Sequence, residues 1–130
     1  MKRSPQETIA TLPSDAELRI LRQLWIHGEQ SVGDLRSRVS GEWDIGYTTV
    51  LKLLQRMLKK GLVVRREDGR AHQYRPTVTA EQTERRLAKD ILARTFGGSL
   101  KHLVLAALPT AAASEAELRE IRRLLDRKGT

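Results

Sequence analysis

The sequence predicts a mainly α-helical protein with one small β-hairpin wing, in which an N-terminal winged helix-turn-helix is followed by a C-terminal helical dimerisation region. Three observations predict this architecture. Three segments with helical spacing of apolar residues come first, a basic β-branched segment with an Asp-Gly turn follows, and three more helical segments complete the chain. We expect a flexible arm over residues 1–12, a winged helix-turn-helix domain over 13–76 and a dimerisation region over 77–130.

The composition bounds the class of protein. A chain of 130 residues fits one domain with an oligomerisation segment, and a hydrophobic content of 39% is too high for a disordered chain. The formal net charge of +8 is typical of proteins with an anionic partner, such as nucleic acid or a membrane surface.

The absence of certain residues and segments excludes several classes. The chain has no cysteine, which excludes disulfides, zinc fingers and iron–sulfur clusters. Residues 1–13 have no apolar stretch of the kind that secretory signals carry, and no window approaches the roughly 18 apolar residues of a membrane span. We therefore expect a cytoplasmic protein without a cofactor.

The first three helices are marked by local start and stop signals. The run Ser14–Glu17 is a capping box, and Gly28 ends the helix that it starts. A shorter helix is predicted from Ser31 to Val39. A third runs from about Tyr47 to Lys60, followed by Gly61 as a left-handed terminator.

The wing is predicted from the segment that follows the third helix. Residues 62–66 are rich in β-branched and basic side chains and read as a strand. Residues 67–70 contain Asp-Gly, a strong hairpin signal, and residues 71–75 return as the second strand, which ends at Pro76.

The C-terminal third predicts a dimer. Helices are expected over residues 79–95, 100–108 and 114–127, and the middle one is apolar on nearly all sides, so it must be covered by other chain. Three short helices cover it poorly by themselves, whereas a second copy can; packing against the winged helix of the same chain is the alternative. The apolar residues expected at the dimer interface are Ile91, Phe96, Leu100, Leu103, Val104, Leu108, Ile121, Leu124 and Leu125.

The third helix has two chemically distinct faces. When successive residues are placed about 100° apart, Tyr47, Val50, Leu54, Met57 and Leu58 share one side, with Leu51 and Leu53 at its edges. The other side carries hydroxyls, an amide and cations, and no acid occurs from Gly46 to Val64. A solvated helix face is the ordinary alternative, but such a face normally mixes charges of both signs.

Charge is concentrated in the third helix and the wing. Residues 46–75 hold eight Lys and Arg against two Asp and Glu, a net charge of +6 out of the total of +8. This distribution predicts that residues 13–76 are a DNA-binding domain whose third helix enters the major groove. Two copies in a symmetric dimer then present two such helices to half-sites about one helical turn apart, or a multiple of it.

Roles follow from the chemistry of each side chain. Residues in the N-terminal half of the third helix are candidates for reading base edges: Thr48, Thr49, Lys52 and Gln55. Residues that suit phosphate contacts are Ser31 at the start of the second helix, Arg56, Lys59, and Arg70 at the wing turn. For Arg70 the alternative is an exposed hairpin charge without a partner.

Catalysis and metal binding find little support in the sequence. The histidines are His27, His72 and His102, which are far apart and lack ligand spacing, and no glycine-rich phosphate loop occurs. We expect neither an enzyme nor a metal site. Two other functions stay open: a winged helix used for protein–protein assembly, and non-specific nucleic-acid packaging.

Several short runs, taken in order, resemble the penicillinase-repressor family, which includes the BlaI and MecI repressors and their copper-responsive CopY relatives. The resemblance covers about residues 12–126. The runs that carry it are Leu12–Glu17, Leu24-Trp25, Tyr47–Val50, Lys60–Val63, Gly69–Ala71 and Tyr74–Pro76.

The resemblance implies a homodimeric repressor on a palindromic DNA operator, released by proteolysis with a membrane-bound, antibiotic-sensing metallopeptidase as partner. Copper-responsive members carry C-terminal cysteines, which this chain lacks. Antibiotic-responsive members are cut between Asn and Phe in a short helix of the dimer region. The corresponding cleavage region here is Leu105, Ala106 and Ala107, without the Asn-Phe pair.

Overall fold

A computed structural model describes residues 12–41 and 43–129 of the chain. Apart from Leu12, the predicted N-terminal arm lies outside the described residues. The chain divides into two compact units, one up to Ile91 and one from Leu92 onward. None of the helices in the described part has the length and apolar content needed to cross a membrane.

The order of elements confirms the predicted fold class. The described residues form six α-helices and one antiparallel two-stranded sheet. The elements are α1 (Asp15–His27), α2 (Val32–Val39), α3 (Tyr47–Lys60), β1 (Val63–Asp68), β2 (Ala71–Pro76), α4 (Ala80–Thr95), α5 (Leu100–Ala107) and α6 (Glu115–Gly129).

Local signals set the helix ends where the sequence predicts them. The Ser14 hydroxyl accepts from the backbone N–H of Glu17 at 3.2 Å, and a Glu17 oxygen accepts from the Ser14 N–H at 2.9 Å, which completes the capping box. Gly61 ends α3 with a φ of 78°, a left-handed conformation in which a side chain would be strained. A second capping box links Thr79 and Gln82 at the start of α4.

The wing hairpin turns within the predicted segment 67–70. Asp68 pairs with Ala71, so the two residues of the turn are Gly69 and Arg70, and β1 runs over Val63–Asp68 rather than 62–66. Gly69 has a φ of 64°, whereas Arg70 has a negative φ. That combination matches a II′ turn, whose first central position favours glycine.

The core of the first unit lies between α1, α2, α3 and the wing. Its fully or nearly fully buried apolar residues are Ile20, Leu21, Leu24, Val32, Leu35, Val39, Ile45, Val50, Leu53, Leu54, Met57, Leu62, Val63 and Tyr74. Helices of this length depend on such packing for their stability, because isolated short helices are marginal in water. The core therefore fixes the orientation of α3.

Two long-range contacts tie the remaining chain to this core. Gln30 and Tyr74 exchange backbone hydrogen bonds of 3.0 and 2.7 Å, which adds a single bridge between the α1–α2 connection and β2. The indole N–H of Trp25 donates to the Val78 carbonyl at 2.9 Å. The second contact fixes the chain where it leaves the wing and approaches α4.

The second unit contains α5 and α6, which carry many exposed apolar side chains. Ser99 caps α5 through its hydroxyl, and Ser114 caps α6 in the same way. No residue of α5 is buried within the protomer. An α5 that is apolar and uncovered has the surface expected of an association region.

Candidate nucleic-acid interface

The third helix separates a buried row from an exposed one, as its sequence predicts. Val50, Leu54 and Met57 are fully buried in the core. One assignment was wrong: Tyr47 was expected against the core but is 53% exposed. Leu53, at the edge of the apolar side, is buried in the core. The buried arc is centred near Val50 and Met57 and extends toward Leu53, so Tyr47, about 60° away on the other side and in the first turn, projects outward.

The predicted reading residues lie together on the exposed face of α3. Thr48 is exposed in the first turn. One shallow depression is lined by Thr49, Lys52, Gln55, Arg56 and Lys59 together with Leu53. The arrangement offers a hydroxyl, an amide and three cations on one surface, which are groups that can donate to base edges or phosphates.

Glu17 is the residue of this region that the sequence did not assign to it. The side chain is completely buried, and its Oε1 accepts from Lys60 Nζ at 2.6 Å. Its Oε2 lies 3.4 Å from Arg56 Nε. The sequence of α3 contains no acidic residue, but Glu17 of α1 places a buried carboxylate next to Arg56 and Lys60 of that helix.

A signal for this burial was present in the sequence. Glu17, Leu21 and Leu24 are spaced by four and three positions and therefore share one face of α1. Because the capping box already accounts for an acidic residue at position 17, the long-range ion pair of Glu17 was not predicted from the sequence. A charged residue on a buried face requires a partner, and that partner could not be identified from α1.

The environment of Glu17 keeps its carboxyl ionised. Burial by itself raises the pKa of this group. Hydrogen bonds from Lys60 and from the Ser14 backbone, with the charges of Lys60 and Arg56, outweigh burial and hold the pKa of Glu17 below its ordinary value. Lys60 also donates to the Leu12 carbonyl at 3.1 Å, so its ammonium joins three parts of the chain.

Ser31, the predicted phosphate contact at the start of α2, serves as the helix cap. Its hydroxyl oxygen accepts from the backbone N–H of Asp34 at 3.2 Å. The hydroxyl proton can still donate to an anion, because a serine is both donor and acceptor. Asp34 also places a carboxylate in the first turn, which lowers the attraction of this helix end for phosphate.

The wing exposes one arginine at its tip and pairs another, midway along β1, with a carboxylate. Arg70 is exposed in the turn. Arg66 donates from Nη2 to Glu29 at 2.7 Å, and this hydrogen bond holds the pKa of Glu29 below its ordinary value. The charge of Arg66 is therefore partly neutralised within the protein, so the wing carries less unpaired positive charge than its count of arginines suggests.

The predicted dimer residues remain largely exposed in the protomer. Phe96 and Leu103 are half-buried. The exposed members of the set are Ile91, Leu100, Val104, Leu108, Ile121, Leu124 and Leu125. Leu105 in the predicted cleavage region is also exposed, as are Ala106 and Ala107.

A metal site was not expected. Over residues 12–41 and 43–129, no group of three or more His, Asp or Glu side chains is placed to hold a metal ion. His27 lies in the last turn of α1, His72 in β2 and His102 in α5. The three histidines therefore occupy three different elements.

Comparison with known proteins gives one family match. The family model described as penicillinase repressor matches residues 13–127. The transcriptional regulator BlaI of Mycobacterium tuberculosis is 37% identical over 81 residues, which are 62% of this chain and 59% of that protein. The match thus spans less than two thirds of the length of that relative.

Two further similarities cover more of the chain. The methicillin resistance regulatory protein MecI of Staphylococcus aureus is 24% identical over 115 residues, which are 88% of this chain and 94% of that protein. The crystal structure of the YusO protein of Bacillus subtilis covers 95% of this chain and 79% of that chain with a TM-score of 0.52. At 16% identity, the YusO similarity concerns the fold.

Proposed function

Because the chain belongs to the penicillinase repressor family, we propose that it is a homodimeric, sequence-specific DNA-binding repressor of transcription. The family is one of repressors and not of enzymes. The observation that carries the proposal is the exposed face of α3, which gathers Lys52, Gln55 and Lys59 around one depression. Such a face suits the major groove, where hydroxyls, amides and cations contact base edges and phosphates.

We propose that some residues of this surface read base edges and others contact the DNA backbone. Four residues of α3 read base edges: Thr48, Thr49, Lys52 and Gln55. Contacts to the DNA backbone come from Ser31, Arg56, Lys59 and Arg70. Backbone contacts set the position of the protein on DNA, whereas base contacts select the sequence. Residues 13–76 form the DNA-binding domain in this proposal, and residues 77–130 form the dimerisation region.

The proposed dimer is supported by the exposed apolar side chains of α5 and α6. Leu100, Val104 and Leu124 each expose 40% or more of their area in the protomer. A twofold axis would bury this surface and present two copies of α3 to a palindromic operator.

Release by a membrane-bound metallopeptidase sensor would act on Leu105, Ala106 and Ala107, an exposed part of α5. The proposed location is the cytoplasm.

Selection of duplexes from a random pool tests the function. The wild-type protein should enrich one palindromic sequence, and the same protein should bind a scrambled duplex of equal length at least 1,000-fold more weakly, about the lower limit for specific regulators. Equal binding to both duplexes would instead indicate non-specific packaging. Failure to enrich any duplex would favour a protein–protein assembly module.

A further inference from the structure

The two oxygens of the Glu17 carboxylate have different surroundings. Oε1 accepts from Lys60 Nζ at 2.6 Å and from the Ser14 N–H at 2.9 Å. Oε2 is buried and makes no hydrogen bond within the described part of the chain. Its ion-pair partner is Arg56, whose Nε lies 3.4 Å away.

A buried carboxylate needs compensation for its charge, because leaving it unpaired has a large desolvation cost. Oε1 has its hydrogen-bond donors, whereas Oε2 is compensated by the charge of Arg56, which lies at ion-pair distance without a hydrogen bond. The guanidinium is a planar fork with five N–H donors, and Nε carries one of them. When Nε faces Glu17, the donors on the two terminal nitrogens remain for another acceptor, and the Arg56 side chain is 60% exposed.

Arg56 borders the same depression as Lys52 and Gln55. Its guanidinium therefore has a buried anion on one side and the proposed DNA surface on the other. A flexible arginine must lose side-chain entropy when it binds phosphate, and a partner that holds it beforehand reduces this loss.

We propose that Glu17 is a positioning residue for DNA binding, which orients Arg56 from inside the domain so that its terminal nitrogens meet a backbone phosphate. The inference rests on the proposed function and on the phosphate role of Arg56. Glu17 touches no DNA in this arrangement. Its pair with Lys60 holds the end of α3, and its effect on the phosphate contact passes through Arg56.

Positioning of Arg56 and net charge predict opposite effects of replacing Glu17 on the affinity for DNA. Replacing Glu17 by Gln removes a negative charge from the DNA-binding domain, and by charge alone this should strengthen binding to DNA. Positioning predicts the reverse, because Arg56 loses the charged partner that holds it. We expect Glu17→Gln to weaken binding to the duplex enriched by the wild-type protein by about three- to tenfold, the size of a typical coupling between neighbouring residues.

Three variants test whether Glu17 affects DNA binding through Arg56. Arg56→Ala should weaken binding to all duplexes and make the salt dependence about one unit shallower, as loss of one phosphate contact does. In the Arg56→Ala background, Glu17→Gln should have no further effect. Glu29→Gln is the matched control, because Glu29 also pairs with an arginine of the same domain, Arg66, and it should not weaken binding.

The experiment is fluorescence anisotropy with the enriched duplex at several salt concentrations, with thermal unfolding recorded for each variant. Equal or tighter binding by Glu17→Gln would overturn the inference, and so would the same loss in the Arg56→Ala background. If the wild-type protein enriches no duplex, the proposed function itself fails at the earlier step. If Glu17→Gln does not fold, Glu17→Gln/Lys60→Met removes the unpaired ammonium and is compared with and without Arg56→Ala.

Discussion

The ammonium of Lys60 lies 2.6 Å from the carboxylate of Glu17, across 43 positions of sequence. The contact joins the first turn of α1 to the last turn of α3. Glu17 is completely buried, while 28% of the Lys60 side chain is exposed. The pair therefore fixes the end of the proposed recognition helix on the body of the domain.

Removal of the Lys60 ammonium should destabilise the domain. Lys60→Met leaves Glu17 without its main donor, and we expect a loss of about 2 kcal/mol in the free energy of unfolding, below the 3–5 kcal/mol of fully buried pairs because Lys60 is partly solvated. Urea unfolding measures the loss. The control is Lys59→Met on the exposed face of α3, which should change stability by less than about 0.5 kcal/mol. Equal effects of the two substitutions would show that the pair is not important for stability.

The stability of the domain should depend on pH through Glu17. The pKa of this carboxyl is lowered in the folded protein, so its contribution is complete above the ordinary value of 4.5 and is lost as the pH falls through the lowered pKa. The difference in unfolding free energy between wild type and Glu17→Gln should be constant above about pH 5.5 and shrink toward pH 3. Chemical unfolding at a series of pH values measures it. A difference that does not change with pH would mean that Glu17 titrates normally.

Base reading should depend on Gln55 and Lys52. Gln55→Ala and Lys52→Ala should each cost roughly 1–3 kcal/mol at the enriched duplex and relax the sequence preference at one position. Repeating the selection with each variant measures the preference. Lys89→Ala, an exposed cation of α4, is the matched control and should keep the wild-type preference. If both α3 variants also keep it, another element reads the bases.

The dimer should depend on the apolar face of α6. Leu124 exposes 52% of its area in the protomer, and Leu124→Asp would place a charge in the proposed interface. We expect monomers at micromolar concentration and weaker operator binding, measured by sedimentation velocity and anisotropy. Arg38→Asp, on the exposed face of α2, should stay dimeric. A Leu124→Asp protein that sediments as a dimer would place the interface elsewhere.

Local chemistry explains why much of the fold could be predicted. The capping box at Ser14, the left-handed Gly61 and the hairpin each depend on residues a few positions apart, so a linear sequence displays them. The opposition of apolar and polar faces in α3 is equally local, because helical periodicity fixes which residues share a side. The turn type at Gly69 and the exposure of Tyr47 were less predictable, since strand register and helix rotation are set by packing.

Three features could be predicted from the linear chain: the order of helices and wing, the acid-free face of α3 and the concentration of charge around it. Three contacts became visible only in the folded chain: Glu17 reaches Lys60 and Arg56, Glu29 pairs with Arg66, and Gln30 bridges to Tyr74. The two sets differ in the sequence separation of the residues that they involve. Periodicity and capping act over three or four residues, whereas a buried charge takes whichever partner the packed core brings within a few ångströms. An acid-free helix face in the sequence can therefore still have a carboxylate beneath it in the fold.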